Sequence, residues 1–216
     1  MIFFTEVIHQ LASNSQLGPK TRMQAIATAC VYFRRFYSRR SLKDIDPFLL
    51  APTCLFLASK AEEHGVLSPK ALIMCVPQAC SAVHSSVDWH VLSPFVESLK
   101  RLSMPSSEMA SRVALLQEAE FILLEILDCC LVVYQPYRPL KQIINDLKES
   151  IGEAKYLEEL EANAWRICND SLKTDACLLY APHLIAIASV QVAAIVMNRE
   201  KDLYLWFAEL NADYEK

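Results

Sequence analysis

Two stretches of this chain match each other without a gap, and the match constrains the fold more than any other feature. Residues 41–59 read SLKDIDPFLLAPTCLFLAS and residues 171–189 read SLKTDACLLYAPHLIAIAS, at an offset of 130. The identical positions are distributed along both stretches, from Ser41 and Ser171 at the start to Ser59 and Ser189 at the end. A repeat of this length indicates one structural unit that occurs twice. We therefore predict two copies, 1–132 and 133–216, with the proline-containing segment YQPYRP (134–139) as the candidate linker.

The glycine content points to helices. The 216 residues include only 3 glycines, whereas an average composition would give about fifteen. Because glycine supplies positive-φ turns and phosphate-binding loops, tight hairpins and dinucleotide-binding fingerprints are excluded. Apolar residues recur at helical spacing, and no segment alternates with a period of two. The predicted fold class is all-α, with helices over the run after Asp46-Pro47 and over 108–127, 139–149, 154–171, 182–197 and 201–210.

The charge and the cysteines exclude several classes of protein. A net charge of −4 provides no global basic field for nucleic acid or an anionic membrane. The 8 cysteines form no C-x-x-C pair and sit mostly in apolar runs, as in proteins of a reducing compartment. Residues 176–198 are apolar and long enough for a membrane span, but Pro182 divides them. We therefore predict that this segment forms a buried central helix and does not span a membrane. We also predict that the protein binds no metal and no cofactor.

The strongest motif is LASKAEE at 57–63, which closes the central helix of the first copy. It resembles the cyclin-box motif, in which an apolar helix ends in Lys-x-Glu-Glu. Longer stretches resemble the branch of the cyclin family found in the Mediator kinase module: VYFRRFYSRRSLKDIDPFLLAPTCLFLASKAEE, LDCCLVVYQPYRPL, AWRICNDSLKTDACLLYAP and KDLYLWFAEL. The resemblance implies a cyclin fold of two tandem helical boxes. The sequence departs from the family pattern in two places that we expect to see in the fold: an atypical 65–107 region in the first box, and a second box that lacks its final helix.

The resemblance also implies a site and a function. In cyclins a lysine at the end of the third helix and a glutamate in the fifth contact the kinase, and these match Lys60 and Glu120. Ala61 and Leu124 would add apolar contact area. The implied protein is not an enzyme but a nuclear regulatory subunit, which binds and activates a cyclin-dependent kinase controlling RNA polymerase II transcription. Its implied partners are the kinase of the Mediator kinase module and other Mediator subunits, with no direct binding to nucleic acid.

A basic segment leaves alternatives open. Five cations fall within ten residues: Arg34, Arg35, Arg39, Arg40 and Lys43. They are either a docking patch for an acidic partner or phosphate, or a solvated helix end that favours cations. The patch is the best support for the alternative function, a cyclin-fold transcription adaptor that binds DNA and protein without activating a kinase. A third class, a helical enzyme with a nucleophile at Cys129 or Cys130, requires a nearby base that a sequence does not show.

Overall fold

The computed structural model describes residues 1–17, 21–86, 108–152 and 156–212. Within these ranges the chain contains helices and no strand, which confirms the predicted all-α class. The helices are α1 (Ile2–Ala12), α2 (Met23–Arg39), α3 (Pro47–Ala61), α4 (Pro69–Ser86), α5 (Met109–Ile126), α6 (Tyr137–Ile151), α7 (Tyr156–Ser171), α8 (Ala176–Leu179), α9 (Pro182–Val196) and α10 (Glu200–Ala212). They form two compact units, unit 1 (Met1–Val133) and unit 2 (Tyr134–Lys216).

Unit 1 is built around α3. The helix begins where the sequence predicts, because the Asp46 carboxylate accepts a hydrogen bond from the Phe48 amide (2.9 Å) and Pro47 occupies the first turn. Twelve of its fifteen residues are buried, so its polar tip is confined to the last turn. Helices α1, α2, α4 and α5 surround it. An apolar helix enclosed in this way holds its C-terminal residues in fixed positions.

The chain after α5 is tied back to α2. The Tyr32 hydroxyl donates to the Leu131 carbonyl at 2.5 Å, across 99 residues of sequence. Arg39 donates to the Ile126 carbonyl (2.7 Å) and pairs with the Asp128 carboxylate (2.6 Å). The backbone at Asp128 has a φ of 54°, a left-handed turn that lets the chain reverse after the helix. These contacts hold α5 against α2 as well as α3.

Part of the region predicted to be atypical, 65–107, forms α4. This helix packs against α1 and α3. Its apolar face is buried in the core of unit 1, through Leu72, Ile73, Cys75, Val76, Ala79, Cys80 and Val83. Residues 69–86 are therefore an integral part of the unit, and residues 87–107 lie outside the described residues.

Unit 2 is built around α9, which packs against α6, α7, α8 and α10. The chain breaks at Tyr180, where the backbone is extended, so α8 and α9 are separate helices. Pro182 stands in the first turn of α9, as expected of a residue that has no amide hydrogen. No helix in the described part of the chain is both long and apolar enough to cross a bilayer.

Candidate functional site

The structure brings Lys60 and Glu120 together. Lys60 lies in the last turn of α3 and Glu120 in the middle of α5, and the lysine Nζ forms an ion pair with the Glu120 Oε1. The two side chains differ in exposure, 36% for Lys60 and 11% for Glu120. The pair therefore presents its ammonium to solvent, while the carboxylate lies mostly beneath it.

The aromatic ring of Phe56 contacts the Lys60 ammonium. The Lys60 Nζ lies 4.2 Å from the centre of the Phe56 ring, four residues earlier on the same helix. The ring is 6% exposed and is therefore fixed in the core. A cation over a desolvated aromatic face is stabilised by the ring quadrupole. The ammonium is thus held by a carboxylate and an aromatic face, which restricts a side chain that is usually flexible.

Glu62 fixes the end of α3 to α2. Its carboxylate accepts a hydrogen bond from the Thr28 hydroxyl (2.6 Å) and another from the Gln24 side-chain amide (2.7 Å). The next residue, Glu63, has a φ of 50°, so the chain leaves the helical direction directly after the C-cap Glu62. The two glutamates of the LASKAEE motif therefore differ: Glu62 anchors the helix end inside the unit, and Glu63 is exposed.

The Lys60 ammonium and the Glu120 carboxylate have bonding capacity beyond their mutual ion pair. Glu120 Oε1 is shielded from water and receives no hydrogen bond from the described residues, so its contact is the ion pair with Lys60. An ammonium has three donors and an ionised carboxylate has about four acceptor positions. Both members can therefore bind further groups of a partner. Ala61, which is exposed, and Leu124, which is half-buried, lie next to them in sequence or one helical turn away.

The five cations of the basic segment do not form one surface. Arg34 is 2% exposed and donates to the Thr5 hydroxyl within unit 1, so it does not belong to any docking patch. Arg35 donates to the Cys130 carbonyl, and Arg39 pairs with Asp128. Arg40 and Lys43 are exposed. The reason is that α2 is buried between α1 and α3, so successive arginines point in different directions around it.

Groups for catalysis are scarce in the described ranges. All eight cysteines are free thiols, and five of them are buried. Burial raises the pKa of the Cys80 and Cys168 thiols to about 12, which leaves them protonated at neutral pH. The described residues include no group of three His, Cys, Asp or Glu side chains placed to hold a metal ion.

Family models match both units. The cyclin N-terminal domain model matches residues 4–89, and the cyclin C-terminal domain model matches residues 135–211. Together they cover most of the chain. The chain belongs to the cyclin family. The sequence-based prediction of two tandem cyclin domains is thereby confirmed, and the Lys60–Glu120 pair lies in the first of the two units of this cyclin.

The curated relatives of this cyclin carry the name Cyclin-C. Cyclin-C of Drosophila melanogaster is 45% identical over 215 residues, which is 100% of this chain and 70% of the relative. Cyclin-C of Rattus norvegicus is 46% identical over 215 residues, which is 100% of this chain and 66% of the relative. Cyclin-C of Caenorhabditis elegans is 37% identical over 222 residues, covering 99% of this chain and 68% of the relative. The resemblance to this branch of the family is confirmed.

Solved structures share the fold of this cyclin. A chain of the yeast TFIIK complex superposes with a TM-score of 0.60 at 22% identity, covering 88% of this chain and 69% of that chain. A chain of the CAK complex of Chaetomium thermophilum bound to ATP-γ-S gives a TM-score of 0.62 at 21% identity, with 94% and 53% covered. As a member of its family, this cyclin is a regulatory subunit of a cyclin-dependent kinase and not itself an enzyme.

Three contributors to the site were not found by sequence reasoning. Phe56, Thr28 and Gln24 hold Lys60 and the end of α3 in place, but none of them stands out in the sequence. Phe56 has a detectable signal, because an aromatic residue four positions before a helix-terminal lysine lies on the same face of the helix. Thr28 and Gln24 have none, since they are 34 and 38 residues away from Glu62.

Proposed function

We propose that this cyclin binds the kinase of the Mediator kinase module through the Lys60–Glu120 pair and thereby activates it for RNA polymerase II transcription in the nucleus. The observation that carries the proposal is the pair itself, an ion pair at the surface of unit 1 held by Phe56 and by the anchored end of α3. The Cyclin-C relatives support the branch of the family and, through it, the other Mediator subunits as partners.

The chemistry of the pair suits the binding of a kinase loop or helix end. Backbone amides and carbonyls at a helix terminus lack partners. The Lys60 ammonium can donate to such carbonyls, and the Glu120 carboxylate can accept from such amides. Because the pair is already formed, few side-chain rotamers remain to be fixed when the partner binds, which lowers the entropic cost of association. Ala61 and Leu124 add apolar area around the polar centre.

Activation follows from differential binding and requires no chemistry on the cyclin. An active kinase needs an ion pair between a lysine and a glutamate of its αC helix. A cyclin that binds the arrangement with this helix turned inward shifts the kinase population toward it. To raise an active population from 1% to 99%, the cyclin must favour that state by about 5.5 kcal/mol. A small number of well-packed contacts can supply such an energy.

The test is a binding isotherm of the full chain against the catalytic domain of the Mediator kinase, with Lys60→Glu alongside. We expect submicromolar binding, weakened by about 30-fold or more in the variant, because the substitution places two carboxylates together. Lys70→Glu makes the same change of charge at an exposed position of α4 and should bind like the wild type. Equal loss in both variants, or no binding by the folded wild type, would refute the proposal.

The adaptor function predicts a different result. An adaptor that contacts DNA would bind a duplex with an affinity that falls steeply as salt rises. Since Arg34 is buried and Arg39 is paired with Asp128, we expect no such binding at physiological ionic strength.

A further inference from the structure

Two cysteines that follow each other in the sequence are exposed. Cys129 and Cys130 come directly after α5, and both are free thiols on the surface. Of the other six cysteines, five are buried and Cys177 is half-buried. Burial keeps thiols such as Cys80 and Cys168 protonated and shields them from solutes. The adjacent pair is therefore the place where a dissolved oxidant meets one accessible thiol with a second thiol beside it.

The pair lies on a turn with an unfavourable backbone conformation. Asp128 and Cys129 have φ values of 54° and 55°, both in the left-handed region. The Cys130 amide donates to the Leu127 carbonyl at 2.9 Å, and the Leu131 amide donates to the Cys129 carbonyl at 3.0 Å. Residues with a side chain adopt left-handed φ values at a cost, and the conformation persists only where the surrounding structure fixes it.

Side chains of α2 fix this turn. The Tyr32 hydroxyl donates to the Leu131 carbonyl at 2.5 Å, and the Arg35 guanidinium donates to the Cys130 carbonyl at 3.4 Å. The two acceptors are thus the carbonyls of the second cysteine and of the residue that follows it. A chemical change that moves the backbone of the two cysteines acts directly on the contact between the end of α5 and α2.

A disulfide between adjacent cysteines is strained. The peptide bond between Cys129 and Cys130 is trans, and a trans peptide places successive Cα atoms about 3.8 Å apart. In ordinary disulfides the Cα atoms are about 4.4–6.8 Å apart. Strained and exposed disulfides are easily reduced, and in a reducing compartment such bonds are transient or sense redox changes. Because the bond would close no loop of chain, it also provides almost none of the stabilisation that longer loops give.

We propose that Cys129 and Cys130 form a reversible redox site that reacts with hydrogen peroxide, and that oxidation loosens the end of α5 from α2. The thiolate of one cysteine attacks the peroxide and becomes a sulfenic acid, with release of hydroxide. The thiol of the other cysteine condenses with the sulfenic acid, which forms the disulfide and releases water. In sum, two thiols reduce one peroxide to two molecules of water. Exchange with glutathione, which is itself oxidised, restores both thiols.

The first measurement is peptide mapping by mass spectrometry after the full chain has reacted with limiting hydrogen peroxide. The tryptic peptide 113–141 contains Cys129 and Cys130 and no other cysteine. We expect it to lose two hydrogen atoms about tenfold faster than any other cysteine-containing peptide is oxidised, and dithiothreitol to restore its mass.

Two variants separate the pair from exposed thiols in general. Cys130→Ser leaves Cys129 without a neighbouring thiol, so it should proceed through the sulfenic acid to the sulfinic acid, which dithiothreitol does not reverse. Cys177→Ser removes the remaining cysteine that is not buried and should react like the wild type. The proposal is overturned if the wild type forms sulfinic acid at the pair without the disulfide, if it forms disulfide-linked dimers instead, or if Cys177 is oxidised equally fast.

The second measurement tests the effect on α5 by urea unfolding of the reduced and the oxidised chain. We expect oxidation to lower the urea midpoint of unit 1 and to leave that of unit 2 unchanged. Tyr32→Phe already lacks the bond to the Leu131 carbonyl, so oxidation should lower its midpoint by a smaller amount than in the wild type. An unchanged midpoint of unit 1 in the oxidised wild type, or an equal shift in Tyr32→Phe, would show that the site does not act on α2. Neither measurement involves a kinase, so the outcome is independent of the proposed function.

Discussion

The central helices of the two units, α3 and α9, begin from related sequences and end in different environments. Twelve of fifteen residues are buried in α3, but six of fifteen in α9. In α3 the 18-residue helix α5 covers one side. In the described part of unit 2, α9 borders an apolar groove of about 440 Å³, lined by residues that include Ile167, Tyr180, Leu184 and Val192.

The difference follows from what each copy has at its ends. Asp46 and Pro47 start α3 early, so Pro52 lies inside the helix. The second copy has Ala176 and Cys177 at the aligned positions, and its helix restarts at Pro182, the partner of Pro52. At the other end Lys60 aligns with Val190, which is fully buried. One ancestral helix has thus produced a polar, anchored tip in unit 1 and an apolar helix in unit 2.

The largest expected effect on this comparison comes from truncating a leucine side chain in each central helix. Leu55 is fully buried in α3, and Leu184 is 43% exposed on α9. We expect Leu55→Ala to lower the free energy of unfolding of unit 1 by about 3 kcal/mol, because it leaves a cavity among four helices. Leu184→Ala should cost unit 2 less than about 1 kcal/mol. Urea unfolding monitored for each unit measures both, and equal costs would contradict the assigned environments.

The second test separates stability from binding at the Lys60–Glu120 pair. Lys60→Ala strands a mostly buried carboxylate and should cost about 1–2 kcal/mol of unfolding free energy. Glu120→Ala should cost less, since it leaves an ammonium that can reach water. The double variant Lys60→Val with Glu120→Leu imitates the apolar second copy. It should regain wild-type stability and lose kinase binding.

Denaturant unfolding and a binding isotherm on the same samples decide this. A double variant less stable than Lys60→Ala would mean that the pair holds α3 and α5 together, and not that it serves binding.

The smallest effect is expected at the start of α3. Asp46→Ala removes the capping bond to the Phe48 amide and should lower the stability of unit 1 by about 1 kcal/mol. Glu108 caps α5 by position but makes no side-chain capping bond, so Glu108→Ala is the control and should have a smaller effect. Thermal unfolding of both variants provides the comparison. A large effect of Glu108→Ala, or none of Asp46→Ala, would disprove the account of why α3 starts early.

The sequence was sufficient for the elements with strong local signals. The cap at Asp46, the periodic run that became α5 and the helices of the second copy were predicted to within a few residues, because such signals act over one or two turns. Lys60 and Glu120 were found through the family motif, not through periodicity. The character of α4 was missed: Pro77 interrupts its pattern, and burial against α1 decides its structure.

The directions in which the side chains of α2 point could also not be predicted from the sequence. Five cations in ten residues look like one patch, yet Arg34 is directed into unit 1, toward Thr5 of α1. Whether a helix is packed on one side or on two depends on contacts between distant residues, and local spacing does not contain that information. For the same reason, the contacts of Thr28 and Gln24 could not be predicted, because their partner Glu62 lies outside their own helix, at the end of α3.

The bond from the Tyr32 hydroxyl to the Leu131 carbonyl has a consequence for biosynthesis. A ribosome adds about 5–20 residues per second, and 99 residues separate the donor from its acceptor. Tyr32 therefore leaves the ribosome about 5 to 20 s before its partner does. For part of that interval, between the synthesis of Ala61 at the end of α3 and that of Met109 at the start of α5, α3 exists without α5 and the side that α5 covers is open. During that time the central helix of the first unit lacks one of its covering helices, and molecular chaperones have that time in which to bind its apolar side.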